Sequence, residues 1–239
     1  METCSDGRWV YRTSMKPVIP NCLNKAFTLL ELILVIAIIA ILAAMLIPAL
    51  TNREPPNKTG KCMNNLRQIS LGYIIWADVN TNLFPWEVST NAGGSMEFIE
   101  KGIATDHVTP LVTTLSNPEV LVCPADQTKR SVNSYAGFSN TNLSYFVSLD
   151  ASLRPTPNPS FSILAGDRHL SLGNMKVTSG LFETTNFSVL GWMPGFHGPT
   201  KAPMGSLAFA DGHCETVRST NLPAIFQRQG ITTNRLVIP

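Results

Sequence analysis

The stretch from Lys25 to Leu50, KAFTLLELILVIAIIAILAAMLIPAL, constrains this chain more than any other, because from Phe27 onward it carries a single charged residue, Glu31. As a helix at about 1.5 Å per residue it reaches roughly 36 Å, against a bilayer hydrocarbon core of about 30 Å. It is apolar on every side, so periodicity cannot orient it toward a soluble core, and it reads as a membrane-spanning helix. Ala37, Ala40 and Ala44 share one side of that helix. They form either a stripe where a second helix approaches closely or small residues facing lipid. A secretory signal peptide would have a shorter apolar region, about 7–15 residues, and no acid inside it.

Glu31 demands a partner. A carboxylate in hydrocarbon costs about 2.5–3.5 kcal/mol on the translocon-insertion scale. Cleavage between Ala26 and Phe27 would release an α-amino group, cationic at neutral pH. At about 4 Å and an effective dielectric of about 20, its attraction to a carboxylate is about 4 kcal/mol. The pair can form within one chain or between Glu31 of one subunit and the Phe27 amine of the next.

Lys25-Ala26-Phe27-Thr28-Leu29-Leu30-Glu31, followed by the apolar run with Pro48 near its end, resembles the cleavage and methylation site of type IV prepilins and type II secretion pseudopilins. The resemblance implies that an inner-membrane prepilin peptidase/methyltransferase cuts before Phe27 and methylates the new amine, with Lys25, Ala26 and Phe27 as the processing residues. Glu31 would then guide docking onto other pilin-like subunits. Ala26 stands where the family usually has Gly. The resemblance also implies an α+β, pilin-like fold: a long N-terminal hydrophobic helix followed by a globular domain with a small antiparallel sheet. It places the precursor in the bacterial inner membrane as a single-pass protein, in contact with inner-membrane lipid, with its leader cytoplasmic and its C-terminal domain periplasmic, or extracellular once in a filament.

The chain of 239 residues has room for a leader (1–26), the assembly helix (27–50), a helical continuation (51–80) and one globular domain (81–239). The leader holds Arg8, Arg12, Lys16 and Lys25 against Glu2 and Asp6, of 18 basic and 16 acidic residues in all, so the remainder is balanced. No basic run interleaves with aromatics there, which leaves nucleic-acid binding without an electrostatic footprint. Translation can start at Met1 or at Met15, the second giving a short basic leader.

Pro55 and Pro56 predict a stop or kink after the first helix. Met63, Leu66, Ile69, Tyr73 and Trp76 then recur at helical spacing, as in an amphipathic helix docked on a sheet with Tyr73 and Trp76 in the core. The Cys62…Asn65-Leu66-Arg67-Gln68 stretch resembles a continuation found in a large bacterial branch of pseudopilin-like proteins. Residues 81–142 are rich in Gly, Pro, Asn, Ser and Thr, which predicts loops with one short helix and little strand. A strand is expected over 162–166, and a hairpin over 206–217 turning at Asp211-Gly212 as a tight two-residue turn. His197 followed by Asp211-Gly212 resembles the His…Asp-Gly signature that closes the same branch, at a longer spacing.

Five cysteines occur, and removal of the leader takes Cys4 and Cys22 with it. In an oxidising periplasm the remaining three allow one bridge. Cys62 with Cys123 is the expected disulfide, since Cys214 falls in the predicted hairpin strand. Asp167-x-His169 and Asp211-x-His213 repeat a spacing that puts both side chains on one face of a strand. With His197 they form a candidate metal site, for Zn or Ca, against the plainer reading of polar turn residues. No phosphate-binding loop, dinucleotide fingerprint or Gly-x-Ser-x-Gly elbow occurs, so no enzyme activity and no other cofactor is expected. Two readings follow. One is a filament subunit of a type II secretion pseudopilus or type IV pilus-like assembly. The other is a membrane-anchored periplasmic binding module, metal-dependent through its Asp/His repeats.

Overall fold

The computed structural model describes residues 28–51, 58–154 and 158–239, with the side chains of 45–51 left aside. Lys25, Ala26, Phe27 and the Pro55-Pro56 pair lie outside the described residues. The chain divides into two compact units, 1–54 and 55–239.

The first unit contains helix α1, Leu29–Thr51. Its large apolar residues from Leu29 to Leu42 are exposed all round, as expected of a sequence with no polar face. Among the described residues no helix is long and apolar enough to cross a membrane.

The second unit begins with α2, Lys58–Asp78, which buries Leu66, Ile69, Tyr73 and Trp76 of the predicted stripe together with Cys62 and Ala77, whereas Met63 is only half-buried. The helix ends where Thr81 and Asn82 take positive φ, with the backbone N–H groups of Asn80 and Asn82 both donating to the Ala77 carbonyl. Gly72 lies in the helix interior because the 3-10 turn Thr109–Thr113 and Leu115 press against it; a Cβ there would sit 3.0 Å from Leu115.

Residues 81–142 contain α3, Ala104–Val108, and a series of 3-10 turns, with no strand. Their Ser, Asn and Glu side chains bond the local backbone instead. Ser89 accepts from Asn91 N–H, Asn117 from Glu119 N–H and Ser139 from Thr141 N–H, while Glu97 accepts from Thr90 N–H. Side chains that compete this well for backbone donors favour turns over ladders. Tyr73, Phe84 and Trp86 clamp the segment to α2 with ring centroids 5.1–6.1 Å apart.

The main sheet is larger than the sequence suggests. It comprises β1 (Tyr145–Ser148), β2 (Ile163–Asp167), β5 (Gly180–Thr184), β7 (Met204–Phe209), β8 (Cys214–Arg218) and β9 (Asn234–Ile238) in the antiparallel order β5-β9-β1-β2-β7-β8. A second sheet of β3 (Leu170–Leu172), β4 (Met175–Lys176) and β6 (Leu190–Trp192) runs β4-β3-β6. Alternation sorts the main sheet's side chains. Tyr145, Val147, Ala208 and Val237 join α2 in one core, whereas Phe146, Leu207, Phe209, Leu236 and Ile238 join Leu170 and Trp192 of the small sheet and Leu222 and Phe226 of α4 (Leu222–Arg228) in the other. A register shift between Ile163 and Ala165 of β2 lets neighbouring residues Leu164 and Ala165 both reach the α2 side.

The β7–β8 hairpin turns differently from expectation. Its connection has three residues, Ala210, Asp211 and Gly212, closed by Phe209 N–H donating to the His213 carbonyl and Gly212 N–H donating to the Phe209 carbonyl. Gly212 alone takes positive φ, 91°. This is a type I-like turn ending in a left-handed glycine, in place of the two-residue primed turn.

Two predictions arise from this packing. Trp192 lies flat on Gly205, where a Cβ would come within 2.5 Å of the indole. Gly205→Ala is therefore expected to lower stability by about 1–3 kcal/mol in urea denaturation, and an unchanged midpoint would place the indole elsewhere. His107 is fully buried, its Nδ1 is 2.8 Å from Ser95 Oγ, and its Nε2 has no partner among the described residues. Burial pushes its pKa down to about 4. The folded state thus binds fewer protons than the unfolded one between that value and the ordinary value near 6.5, so this contribution is complete above pH 6.5 and is lost as the pH falls toward 4. His107→Gln should flatten that acid limb by up to about 3 kcal/mol, and an identical limb in the variant would contradict the assignment.

Candidate functional site

Two places gather the residues that matter. The first is the start of α1. Glu31 lies in its first turn, where Oε2 accepts from Thr28 N–H at 3.0 Å and from Thr28 Oγ1 at 3.1 Å, while Glu31 N–H donates to Thr28 Oγ1 at 3.2 Å. Thr28 is thus the N-cap and the pair forms a capping box that satisfies orphan donors of the helix end. A carboxylate here also complements the positive end of the helix dipole. The geometry holds Glu31 at the N-terminal end of the helix.

The second place is a buried cluster in the globular unit, drawn from four separate stretches of chain. Cys62 sits in the second turn of α2. Cys123 follows the 3-10 turn Pro118–Leu121 and accepts from Ala125 N–H at 3.4 Å through its sulfur. Asp167 ends β2, opposite Tyr145 of β1. His197 precedes β7 and bridges to Met204, which donates its N–H to the His197 carbonyl. All four are buried, and their ligand atoms lie within 4.8 Å of one another. Cys62 and Cys123 are joined by a disulfide, Cα–Cα 5.1 Å, across 61 positions of sequence. Among the described residues Cys214 of β8 is a free thiol.

The contacts within the cluster are close. His197 Nε2 is 3.4 Å from Cys123 Sγ and 3.4 Å from Asp167 Oδ2. His197 Nδ1 lies 3.2 Å from Thr59 Oγ1, and Tyr145 donates its hydroxyl to Cys62 Sγ at 3.5 Å. Asp167 Oδ2 accepts the Ser206 N–H at 2.6 Å, whereas its Oδ1 has no partner among the described residues. Burial raises the Asp167 carboxyl to about 7 against the pull of the Ser206 N–H, and burial lowers the His197 imidazole to about 4. Burial thus favours the neutral form of each of the two groups.

Arg168, next in the chain, turns to a different carboxylate. Its Nε donates to Asp126 Oδ2 at 2.7 Å, and its Nη2 to Asp126 Oδ1 at 3.0 Å and to the Thr128 hydroxyl. Burial alone would raise Asp126, but the bonds from Arg168 and Thr128 hold it far below the usual carboxylate range.

Of the five Asp and His residues expected to share a metal, the structure brings together Asp167 and His197. His169 stacks on Phe196 at 3.7 Å and stands outside the cluster. Asp211 and His213 bond each other at 2.5 Å at the β7–β8 turn, partly exposed, with the His213 ring stacked on Phe209 at 4.1 Å. Sequence reasoning treated the cysteines and the Asp/His residues as separate features and missed Thr59, Tyr145 and the Asp126–Arg168 pair. The Cys-Pro-Ala-Asp run at 123–126 and Asp167-Arg168 were the available signals.

Residues 22–47 match the family model of the prokaryotic N-terminal methylation motif, the signature of prepilins and pseudopilins. The match does not reach His197 or Asp211. No curated protein and no solved structure matches the chain.

Truncation of Arg168 tests the pair beside the cluster. Arg168→Ala leaves the Asp126 carboxylate buried without its cation and is expected to cost about 3–5 kcal/mol in denaturant unfolding. Adding Asp126→Asn should recover part of that loss, and strictly additive effects would show that the two side chains act independently.

Proposed function

We propose that this chain is a pilin-like structural subunit of a type II secretion pseudopilus or type IV pilus-like filament. A prepilin peptidase cuts it after Ala26 and methylates Phe27, and the mature subunit joins others through α1. The observation that carries this reading is the methylation motif over residues 22–47, with its one acid, Glu31, held in the first turn of α1. In the precursor, the apolar sequence from Phe27 to Leu50 anchors the chain in the inner membrane and leaves the globular unit on the periplasmic side. After extraction, α1 packs against the same helix of neighbouring subunits, and Glu31 compensates a neighbour's terminal amine. In both states the exposed apolar side chains of α1 find a nonpolar cover, which water does not provide.

On this reading the chain is a substrate and a part of the machine, and the chemistry on it belongs to the peptidase. Mature protein recovered from the cell envelope is expected to begin at Phe27 and to be heavier by one methyl group by mass spectrometry. Glu31→Ala should still be cleaved but should leave the assembled fraction, measured by shearing and immunoblotting, reduced at least about tenfold, the effect of roughly 1.4 kcal/mol per contact. A mature chain beginning elsewhere, or full assembly of Glu31→Ala, would overturn the reading. The second outcome is the one expected of a membrane-anchored binding module.

A further inference from the structure

We propose that Cys62, Cys123, His197 and Asp167 form a four-coordinate zinc site in the thiol form of the protein, so that the sulfurs of the disulfide are also the thiolates of a metal centre. The donors fit zinc. In a tetrahedral site with bonds of about 2.0–2.3 Å, neighbouring ligand atoms stand roughly 3.3–3.8 Å apart. The two edges that His197 Nε2 makes, to Cys123 Sγ and to Asp167 Oδ2, are both 3.4 Å. Two sulfurs, one imidazole and one carboxylate suit zinc and disfavour calcium and magnesium, which take oxygen ligands.

The surroundings prepare each donor. Thr59 Oγ1 engages His197 Nδ1, which orients the ring and leaves Nε2 to face the cluster, the supporting role common around metal-bound histidines. Ala125 N–H and the Tyr145 hydroxyl each donate to one sulfur and would stabilise thiolate charge. Asp167 is completely buried, yet its Oδ1 has no donor among the described residues, and Arg168, the nearest cation in sequence, is committed to Asp126. A bound dication would balance the charge of that buried carboxylate. With all four donors engaged and no open position, such a centre is structural. It would pin α2, the loop after residue 121, the end of β2 and the approach to β7 to one point.

The test uses the full chain in detergent, its disulfide reduced by a water-soluble phosphine, which supplies two electrons and leaves as the phosphine oxide while water supplies the two protons, and the protein is then titrated with zinc alone. Thiol counting confirms that Cys62 and Cys123 are free, and circular dichroism confirms the fold. The expected result is one zinc per chain, protection of two thiols from alkylation, and a zinc-dependent rise in Tm. Thr59→Val should weaken binding by about 10–100-fold, and Asp167→Asn and His197→Ala should weaken it further. Cys214→Ser should bind like the parent. Cobalt in place of zinc should give a thiolate-to-metal charge-transfer band that Cys123→Ser abolishes. If a cysteine variant fails to fold, Asp167→Asn and Thr59→Val carry the comparison. Reduced, folded protein that takes up no zinc, or takes it up equally well in Asp167→Asn, overturns the proposal and leaves the pair a disulfide only.

Discussion

A helix whose apolar side chains are exposed on every face has to be covered by something other than water, and that requirement governs what the first unit can be. The hydrophobic effect would otherwise drive α1 to aggregate or to fold back on itself. The capping box of Thr28 and Glu31 adds a second constraint, since it fixes the helix's one charge at its N-terminal end. Lipid covers the apolar faces but offers the carboxylate nothing. A neighbouring amine offers the carboxylate a partner, and neighbouring helices cover the faces. On the proposed reading assembly meets the two requirements together, which is why the short motif weighs so heavily in it.

The globular unit solves a different problem. Residues 81–142 lack strands and a long helix of their own, so they cannot make an independent core. They are held by what they meet: the Tyr73–Phe84–Trp86 aromatic contact, the close approach at Gly72 and the link from Cys123 to Cys62. The main sheet in turn is covered on both sides, by α2 on one and by α4 with the small sheet on the other. The buried polar cluster stands where helix, loop and sheet meet.

The parts of this architecture legible in the sequence are those governed by local pattern. The α2 stripe follows from a period of three and four, the strandless middle from its turn-forming side chains, and the β7–β8 hairpin from apolar runs around Asp211-Gly212. The turn itself was mis-sized, because one glycine at positive φ serves a three-residue connection as well as a two-residue one. Strands β1 and β9 were missed for a physical reason. Tyr145–Ser148 is buried throughout and β9 nearly so, so polar alternation gives little away, and β9 pairs with β1 and β5, partners remote in sequence. The cluster was illegible for the same reason. A repeat such as Asp-x-His is visible because it is local, and it drew in Asp211 and His213, which sit at a turn. The convergence of residues 62, 123, 167 and 197 exists only once the sheet is assembled.

The central claim is that the acid of one subunit meets the terminal nitrogen of the next. A high-resolution structure of the assembled filament measures this most directly. The account predicts the Phe27 nitrogen of one subunit within about 4 Å of the Glu31 carboxylate of its neighbour, at the range where their attraction is several kcal/mol. A filament in which Glu31 faces solvent, or lies far from every terminal amine, would contradict it.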